Sequence, residues 1–305
     1  MKVVLTGGLG FIGQNLAHHL KSKPEEYHLT AVDQFTDAAD DEKAPFDHIL
    51  HADFAAGEAL ELYEGADVVV HLAARTTVQE SIDDPLATFE QNVVRTQTVL
   101  DHLRTRAPGA KFVFASTGGA IIGEWPDAIH EEVNPKPLSP YGASKLAVEG
   151  LLSAYRGSFG LSSASMRFAN VYGPNSRRKG SVIAAFCKRY LNDGTVQING
   201  DGKQTRDYIY VADIAEAIAR VIEKDAQGVF QLGTGRGTSI NEVVEMFNAV
   251  AADAPPKVVA APALKGEVRH NRADISRARD VLGFEPAWSL EDGIRSTLHW
   301  FKTQA

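Results

Sequence analysis

The sequence predicts an α/β protein, a doubly wound parallel sheet with a smaller α/β lobe for a substrate, and three observations carry that prediction. A β-branched run at the start, Lys2-Val3-Val4-Leu5-Thr6, leads straight into Gly7-Gly8-Leu9-Gly10-Phe11-Ile12-Gly13. Strand-like and helix-like segments then alternate, the sequence form of a parallel sheet with crossover helices. From Asn170 onward glycine and proline become frequent and the alternation breaks, as expected for a second lobe built on loops of the first.

Each element follows from local composition. Residues 2–6 are the apolar run that a buried parallel strand uses. The glycine segment reads as G-x-G-x-x-G from Gly8 and as G-x-x-G-x-x-G from Gly7, and residues 14–20 continue as a helix whose apolar stripe holds Phe11, Ile12, Leu16 and Leu20. Residues 29–32 form a second strand ending in Asp33. Further strands are expected at 48–51, 68–72, 111–115 and 163–167. A helix over 85–106 follows Asp83-Asp84-Pro85, an acidic start with proline at a permitted position. The acidic loop Asp37, Asp40, Asp41 and Glu42 reads as a solvated face. Beyond the turn-rich Ile198-Asn199-Gly200-Asp201-Gly202, a helix over 211–223 and a strand over 228–232 return the chain to the sheet. Ser239-Ile240-Asn241-Glu242 has the form of a capping box. The predicted division is 1–169 with 210–236 as a Rossmann domain, and 170–209 with 237–305 as the substrate lobe.

This pattern points to a dinucleotide. Glycines let the backbone turn tightly and approach a pyrophosphate, whose charge then sits at a helix N-terminus. Asp33 stands 20 residues beyond Gly13, where a carboxylate accepts the adenosine ribose hydroxyls. An acid there repels a ribose 2′-phosphate and Gln34 brings no compensating cation, so NAD is preferred over NADP and no metal is called for.

Bulk properties narrow the class. A chain of 305 residues has ample core, and its formal charge of −8 argues against a nucleic-acid surface, which needs an excess of basic groups. The single cysteine, Cys187, lies in an apolar stretch and reads as a packed thiol. No hydrophobic stretch is long enough to span a bilayer, so cytoplasmic residence is expected.

Catalysis is suggested by Tyr141-Gly142-Ala143-Ser144-Lys145. Residues four apart are neighbours on a helix, which brings the Lys145 ammonium near the Tyr141 hydroxyl. A free tyrosine, with a pKa of about 10, is no base at neutral pH, and lowering it by ~3 units takes roughly 4 kcal/mol of phenolate stabilisation. A lysine plus a positively charged nicotinamide ring supplies stabilisation of that kind, and the pair becomes a general base for an alcohol.

Several further stretches carry a resemblance: His71-Leu72-Ala73-Ala74, Ser116-Thr117, Ser139-Pro140 before Tyr141, Arg167-Phe168-Ala169-Asn170-Val171-Tyr172-Gly173-Pro174, and Gly200-Asp201-Gly202-Lys203-Gln204-Thr205-Arg206-Asp207-Tyr208. Together with the glycine turn they resemble, over nearly the whole chain, the extended short-chain dehydrogenase/reductases of the nucleotide-sugar epimerase and dehydratase group. The resemblance implies an NAD-dependent 4-epimerase of the UDP-glucose/UDP-galactose type. Tyr141 would take the proton of the sugar C4 hydroxyl while the hydride passes to NAD, and the 4-keto sugar would turn over and be reduced on its other face. It further implies that Asp53 contacts the adenine, that Ala73 and Ala74 line the cofactor cleft, and that Lys145 also holds the nicotinamide ribose. Thr117, or Ser116 if the alignment shifts by one, would hydrogen-bond the sugar oxygen. Asn170 and Arg206 would bind the uridine diphosphate.

Departures from the family pattern bear on the substrate. Dehydratases carry an Asp-Glu pair after the serine-threonine; here Gly118-Gly119 follow, which favours epimerisation, with a decarboxylase and a non-catalytic dinucleotide sensor as weaker rivals. Ile122 replaces a tyrosine and makes one contact near the sugar apolar. Leu264 replaces an arginine before Gly266-Glu267 and leaves Lys265 or Arg269 as diphosphate partners. Asn271 stands where some members have a bulky tyrosine, and the smaller amide would admit an N-acetyl group. Arg177 opens the alternative of reading a carboxylate, as in UDP-glucuronate 4-epimerases; Arg178 and Lys179 read as a solvated turn. Apolar residues beyond one buried face, Phe89, Val93, Leu100, Leu146, Leu151 and Leu152, lie on the two helices that pair across the family's dimer axis. A homodimer is expected.

Overall fold

Seven parallel strands make the central sheet of the computed structural model, which describes residues 1–36, 43–263 and 268–304. In chain order these are β1 (Lys2–Thr6), β2 (His28–Asp33), β3 (His48–His51), β4 (Val68–His71), β5 (Lys111–Thr117) and β6 (Ser163–Phe168). Four short strands outside the sheet follow, β7 (Asn170–Tyr172), β8 (Thr195–Asn199), β9 (Thr205–Arg206) and β10 (Tyr208–Tyr210), before β11 (Gly228–Leu232) completes it. The spatial order is β11-β6-β5-β4-β1-β2-β3. The direction of winding reverses between β1 and β4, and a crevice outside the carboxyl ends of such strands is where this architecture binds ligands. Two last strands, β12 (Thr238–Ser239) and β13 (Lys257–Ala261), pair with β9 and β8, while β10 pairs with β7.

The helices are α1 (Phe11–Lys21), α2 (Gly57–Tyr63), α3 (Val78–Asp83), α4 (Pro85–Phe89), α5 (Arg95–Arg106), α6 (Gly119–Ile122) and α7 (Pro140–Phe159). Beyond the sheet's sixth strand come α8 (Val182–Asp193), α9 (Val211–Glu223), α10 (Ile240–Val250) and α11 (Leu290–Thr303). Alternate side chains of a strand point to opposite faces, and the sheet is buried on both. Val3 and Leu5 of β1 pack with Leu16 and Leu20 of α1 and Ile214 and Ile218 of α9. Val4, on the other side, joins Val99 and Leu103 of α5 and Val148 and Leu152 of α7. A third core, with Tyr172, Phe186 and Cys187 against Phe247, Ile294 and Phe301, holds the second lobe. Cys187 is a free buried thiol whose pKa burial pushes up to about 12, so it packs rather than reacts.

The signals at element ends appear as contacts. Ser139 caps α7 by accepting from Gly142 N, with Pro140 at the helix start and the left-handed Gly160 closing its end. Both halves of the Ser239/Glu242 capping box form, and Asp84 accepts from Ala87 N. Two expectations change. The helix over 85–106 is interrupted by a π turn, Glu90–Val94, which carries the buried Asn92. Residues 237–305 do not all belong to the second lobe, because Ala273, Ile275, Ala278, Leu282 and Phe284 bury their apolar surface against the α1/α9 face of the sheet. The acidic loop Asp37, Asp40, Asp41 and Glu42 lies outside the described residues, as do Leu264, Lys265, Gly266 and Glu267. Among the described residues no helix is long and apolar enough to cross a membrane.

Candidate active site

A cleft of about 1190 Å³ runs along the carboxyl ends of β1, β2, β4, β5 and β6. At one end the wall is backbone. Gly7 adopts the left-handed φ of +68°, and a Cβ on it would lie 2.8 Å from Ala73 N. A Cβ on Gly13 would run into the carbonyls of Gly8 and Gly7, so the first turn of α1 closes on the strand only with glycine there. Gly10 caps α1 without any side-chain bond, which leaves the helix N-terminus facing the cleft. Asp33 closes this end. Its carboxylate accepts from Leu9 N at 3.0 Å and from Phe35 N at 3.2 Å. Burial raises its pKa, against those bonds and the charge of Arg178. A cradle too narrow for a Cβ, a helix N-terminus and an acid at the second strand end together fit a dinucleotide, with Gly7, Gly10, Phe11, Ile12, Gly13, Ala73 and Ala74 on the wall.

The other end is made of side chains. Tyr141 projects from the first turn of α7 and Lys145 from the next. Lys145 Nζ donates to Ala115 O at 2.9 Å and stands 4.7 Å from the Phe114 ring centroid and 6.0 Å from that of Tyr141. Burial drives the Lys145 pKa down to about 7, Lys179 lowers it further and Glu149 opposes both. Tyr141 keeps a partly exposed surface on the cleft, yet the depth of the site pushes its phenol up to about 12. The expected lowering of Tyr141 is therefore absent from the chain by itself: burial raises its pKa, and lowering it takes a further positive charge.

Two neighbouring hydroxyls divide here. Ser116 Oγ donates to Glu149 Oε1 at 2.6 Å and is committed to that buried carboxylate. Thr117, the next residue on β5, is on the cleft wall and only half-buried. Both residues line the cleft, and Thr117 is the more exposed of the two.

Asn170 and Arg177 also reach the wall; Arg177 Nη2 donates to Gln304 O at 2.7 Å. Other expected residues do not. Asp53 is held by Arg95 and by Gln34 Nε2 at 3.0 Å, and its neighbours Ala52 and Phe54 line the cleft instead. Arg206 donates to Thr205 O at 2.9 Å, away from the wall, and Arg269 pairs with Asp201 at 2.7 Å. Asn271 packs against Gly119, and Ile122 is buried with Ile121, Ile129 and Val133. In the opposite direction, the loop read as a solvated turn enters the site. Lys179 lines the cleft, where burial lowers its pKa, and the Arg178 guanidinium lies 4.6 Å from the Phe35 ring centroid. Asn92 went unnoticed as well. Its side chain holds Arg75 N and O at 2.9 and 3.0 Å and donates to Ser144 Oγ at 3.0 Å, tying a cleft wall to α7. The one available signal was an asparagine, a poor helix former, inside a helical run.

A glycine cradle joined to a tyrosine-lysine pair across one cleft defines a dinucleotide-dependent enzyme acting on an alcohol or ketone. Residues 3–233 match the NAD dependent epimerase/dehydratase family, and the chain belongs to that family. It is 33% identical to the UDP-glucose 4-epimerase of Mycolicibacterium smegmatis, over 100% of both chains. Among solved structures, the UDP-glucose 4-epimerase of Thermus thermophilus in complex with NAD superposes with a TM-score of 0.90 at 33% identity, covering 100% of each chain. The UDP-glucuronic acid 4-epimerase of Bacillus cereus in complex with UDP-glucuronic acid and NAD gives a TM-score of 0.90 at 29% identity, again over 100% of each chain.

Proposed function

We propose that the chain is an NAD-dependent nucleotide-sugar 4-epimerase that interconverts UDP-glucose and UDP-galactose. The observation that carries this reading is the convergence of Tyr141, Lys145 and Thr117 at one end of the cleft whose other end is the glycine cradle. Gly7, Gly10, Phe11, Ile12 and Gly13 hold the pyrophosphate, Asp33 the adenosine ribose, and Lys145 the nicotinamide ribose. NAD, when bound, would accept the C4 hydride, return it from its reduced form to the turned 4-keto sugar, and supply a positive ring. Tyr141 takes the C4 hydroxyl proton and returns one after the 4-keto sugar has turned over, Lys145 stabilises the phenolate by its charge, and Thr117 donates to the sugar oxygen.

The identity of Gly118-Gly119 favours this reading over dehydration. A Cβ on Gly118 would lie 2.6 Å from Gln231 Oε1, and one on Gly119 would run into Asn271 Nδ2. Both atoms end flexible side chains that can move aside, so what leaves elimination without its acid is that neither glycine carries a carboxyl. One observation favours a second substrate: Arg177 and Lys179 bring positive charge to the cleft, which suits UDP-glucuronate as it suits a diphosphate.

We assign the assembly as a homodimer through α3, α4 and α7. Of the residues expected to project there, Val93, Leu100 and Leu152 are core, but Ile82 (53%), Leu86 (82%), Phe89 (50%) and Phe159 (53%) are exposed on those helices. Sedimentation showing only a 33.0 kDa species at micromolar concentration would remove this assignment.

The test of the activity is incubation with UDP-glucose, UDP-N-acetylglucosamine and UDP-glucuronate, with products followed by NMR. UDP-galactose should form from UDP-glucose, and Tyr141→Phe should lower kcat by about 10²–10⁴-fold. A loss of only a few-fold would remove Tyr141 from the base role, and equal rates on all three sugars would dispose of any selectivity by Arg177 or Asn271.

A further inference from the structure

Behind the reaction end lies a buried charge cluster that the chemistry above does not use. Glu149 follows Lys145 by one turn on α7 and is buried, as are Arg167 of β6 and Ser116 of β5. Arg167 Nη2 donates to Glu149 Oε2 at 2.7 Å, and Nε lies 3.0 and 3.2 Å from the two oxygens. Ser116 adds its bond at 2.6 Å to Oε1. Ser116 and Arg167 are register partners on adjacent strands, so one carboxylate ties the helix of Tyr141 and Lys145 to both strands where they end at the cleft. A buried ion pair is a weak source of stability compared with apolar packing. Its place, one residue from Thr117 and one turn from Lys145, suggests another use.

We propose that Glu149 is a positioning residue for the epimerisation: clamped by Arg167 and Ser116, its carboxylate keeps Lys145 charged and in place and holds Thr117 at its distance from Tyr141. This rests on the functional reading of the same site. The groups facing Lys145 are Tyr141 and Glu149 from its own helix, the Ala115 carbonyl and Phe114 ring of β5, His71 of β4 and Lys179 from the loop before α8. Of these Glu149 alone carries negative charge, and it is what raises the proton affinity of Lys145 against burial and Lys179. Removing that charge while keeping the shape leaves the buried Arg167 uncompensated and makes Lys145 easier to deprotonate.

The experiment pairs a titration with kinetics. The Lys145 ε-methylene resonance of the NAD-free protein, assigned by its disappearance in Lys145→Arg, is followed against pH in wild type and in Glu149→Gln. The midpoint should fall by about one pH unit in the variant. With UDP-glucose and NAD, kcat at neutral pH should fall by about 10–100-fold with KM changed far less, and the alkaline limb of kcat should move down in the same direction. A folded Glu149→Gln protein with an unchanged Lys145 midpoint overturns the proposal, even if its melting temperature drops. Should Glu149→Gln fail to fold, the neutral pair Glu149→Gln/Arg167→Gln should show a smaller downward displacement, and an unchanged midpoint there overturns it equally. The titration does not depend on turnover, so an inactive wild type would count against the functional reading and leave the question of Glu149 to be answered separately.

Discussion

The two ends of the cleft are built on opposite principles. At the glycine end, specificity is the absence of atoms: Cβ positions on Gly7 and Gly13 are already occupied by backbone, and the surfaces left are N–H groups and a helix end. At the reaction end, ionisable groups are buried against their own preference, which moves Lys145 down to about 7 and Tyr141 up to about 12. The first arrangement is steric and is set once the chain has folded. The second is electrostatic and is finished only when a ligand brings more charge. The difference implies that substitutions at the glycine end should damage binding together with local structure, while those at the reaction end should separate activity from stability.

The largest effect tests the steric end. Gly13→Ala places a methyl group against the Gly8 and Gly7 carbonyls, the latter at 2.7 Å, and backbone there cannot give way as a flexible side chain would. The turn must open, and with it the approach of the chain to the pyrophosphate. NAD affinity, read by calorimetry, should fall by at least about 100-fold, which is about 2.7 kcal/mol. Tyr141→Phe, at the other end, should leave NAD affinity nearly intact. Comparable affinities for wild type and Gly13→Ala would break the comparison, since the cradle would then be elastic.

A smaller effect tests the electrostatic end through stability. The folded-state pKa of Lys145 is depressed, so between about 7 and the unfolded value of 10.5 the unfolded chain binds the proton more tightly. Stability therefore rises with pH across that window, and below it the buried lysine carries its full cost. Lys145→Met keeps the length of the side chain and removes the charge. The NAD-free variant should melt several degrees above wild type at pH 7, with the gap closing as pH approaches 10.5, while epimerase activity is lost. A variant less stable than wild type at pH 7 would mean that the Lys145–Ala115 bond outweighs desolvation.

The same contrast explains what was legible in the sequence. The strands 48–51 and 228–232 and the helix 211–223 follow from periodicity, and their boundaries coincide with the elements observed. The glycine turn, Asp33, Tyr141 and Lys145 were readable because each depends on its immediate neighbours in the chain. What was missed depends on contacts between distant segments. Lys179 looks like a turn residue until the loop folds over the cleft, Asp53 looks free until Arg95 meets it, and Ser116 and Thr117 are equivalent until Glu149 claims one of them. The π turn that directs Asn92 inward has no local signature beyond an ill-suited residue in a helix.

His71 lies between the two ends and refines the comparison, because it is a titratable group buried for packing rather than for catalysis. It is 1% exposed, bonded to Thr6 Oγ1 at 2.8 Å and Thr96 Oγ1 at 3.0 Å, with the Phe54 ring at 4.8 Å. Burial, with a contribution from the Lys145 charge, lowers its pKa to about 3. The unfolded chain takes up this proton near the ordinary value of 6.5, so its contribution is fully present above that pH and is lost as pH falls toward 3. The slope is at most about 1.4 kcal/mol per pH unit. Urea unfolding of wild type and His71→Gln at pH 7, 6, 5 and 4.5 should show wild type losing stability faster, with the two curves converging on the acid side. Parallel curves would mean that His71 accepts its proton inside the folded protein, and the β4 end of the cleft would then behave like the reaction end rather than like the steric one.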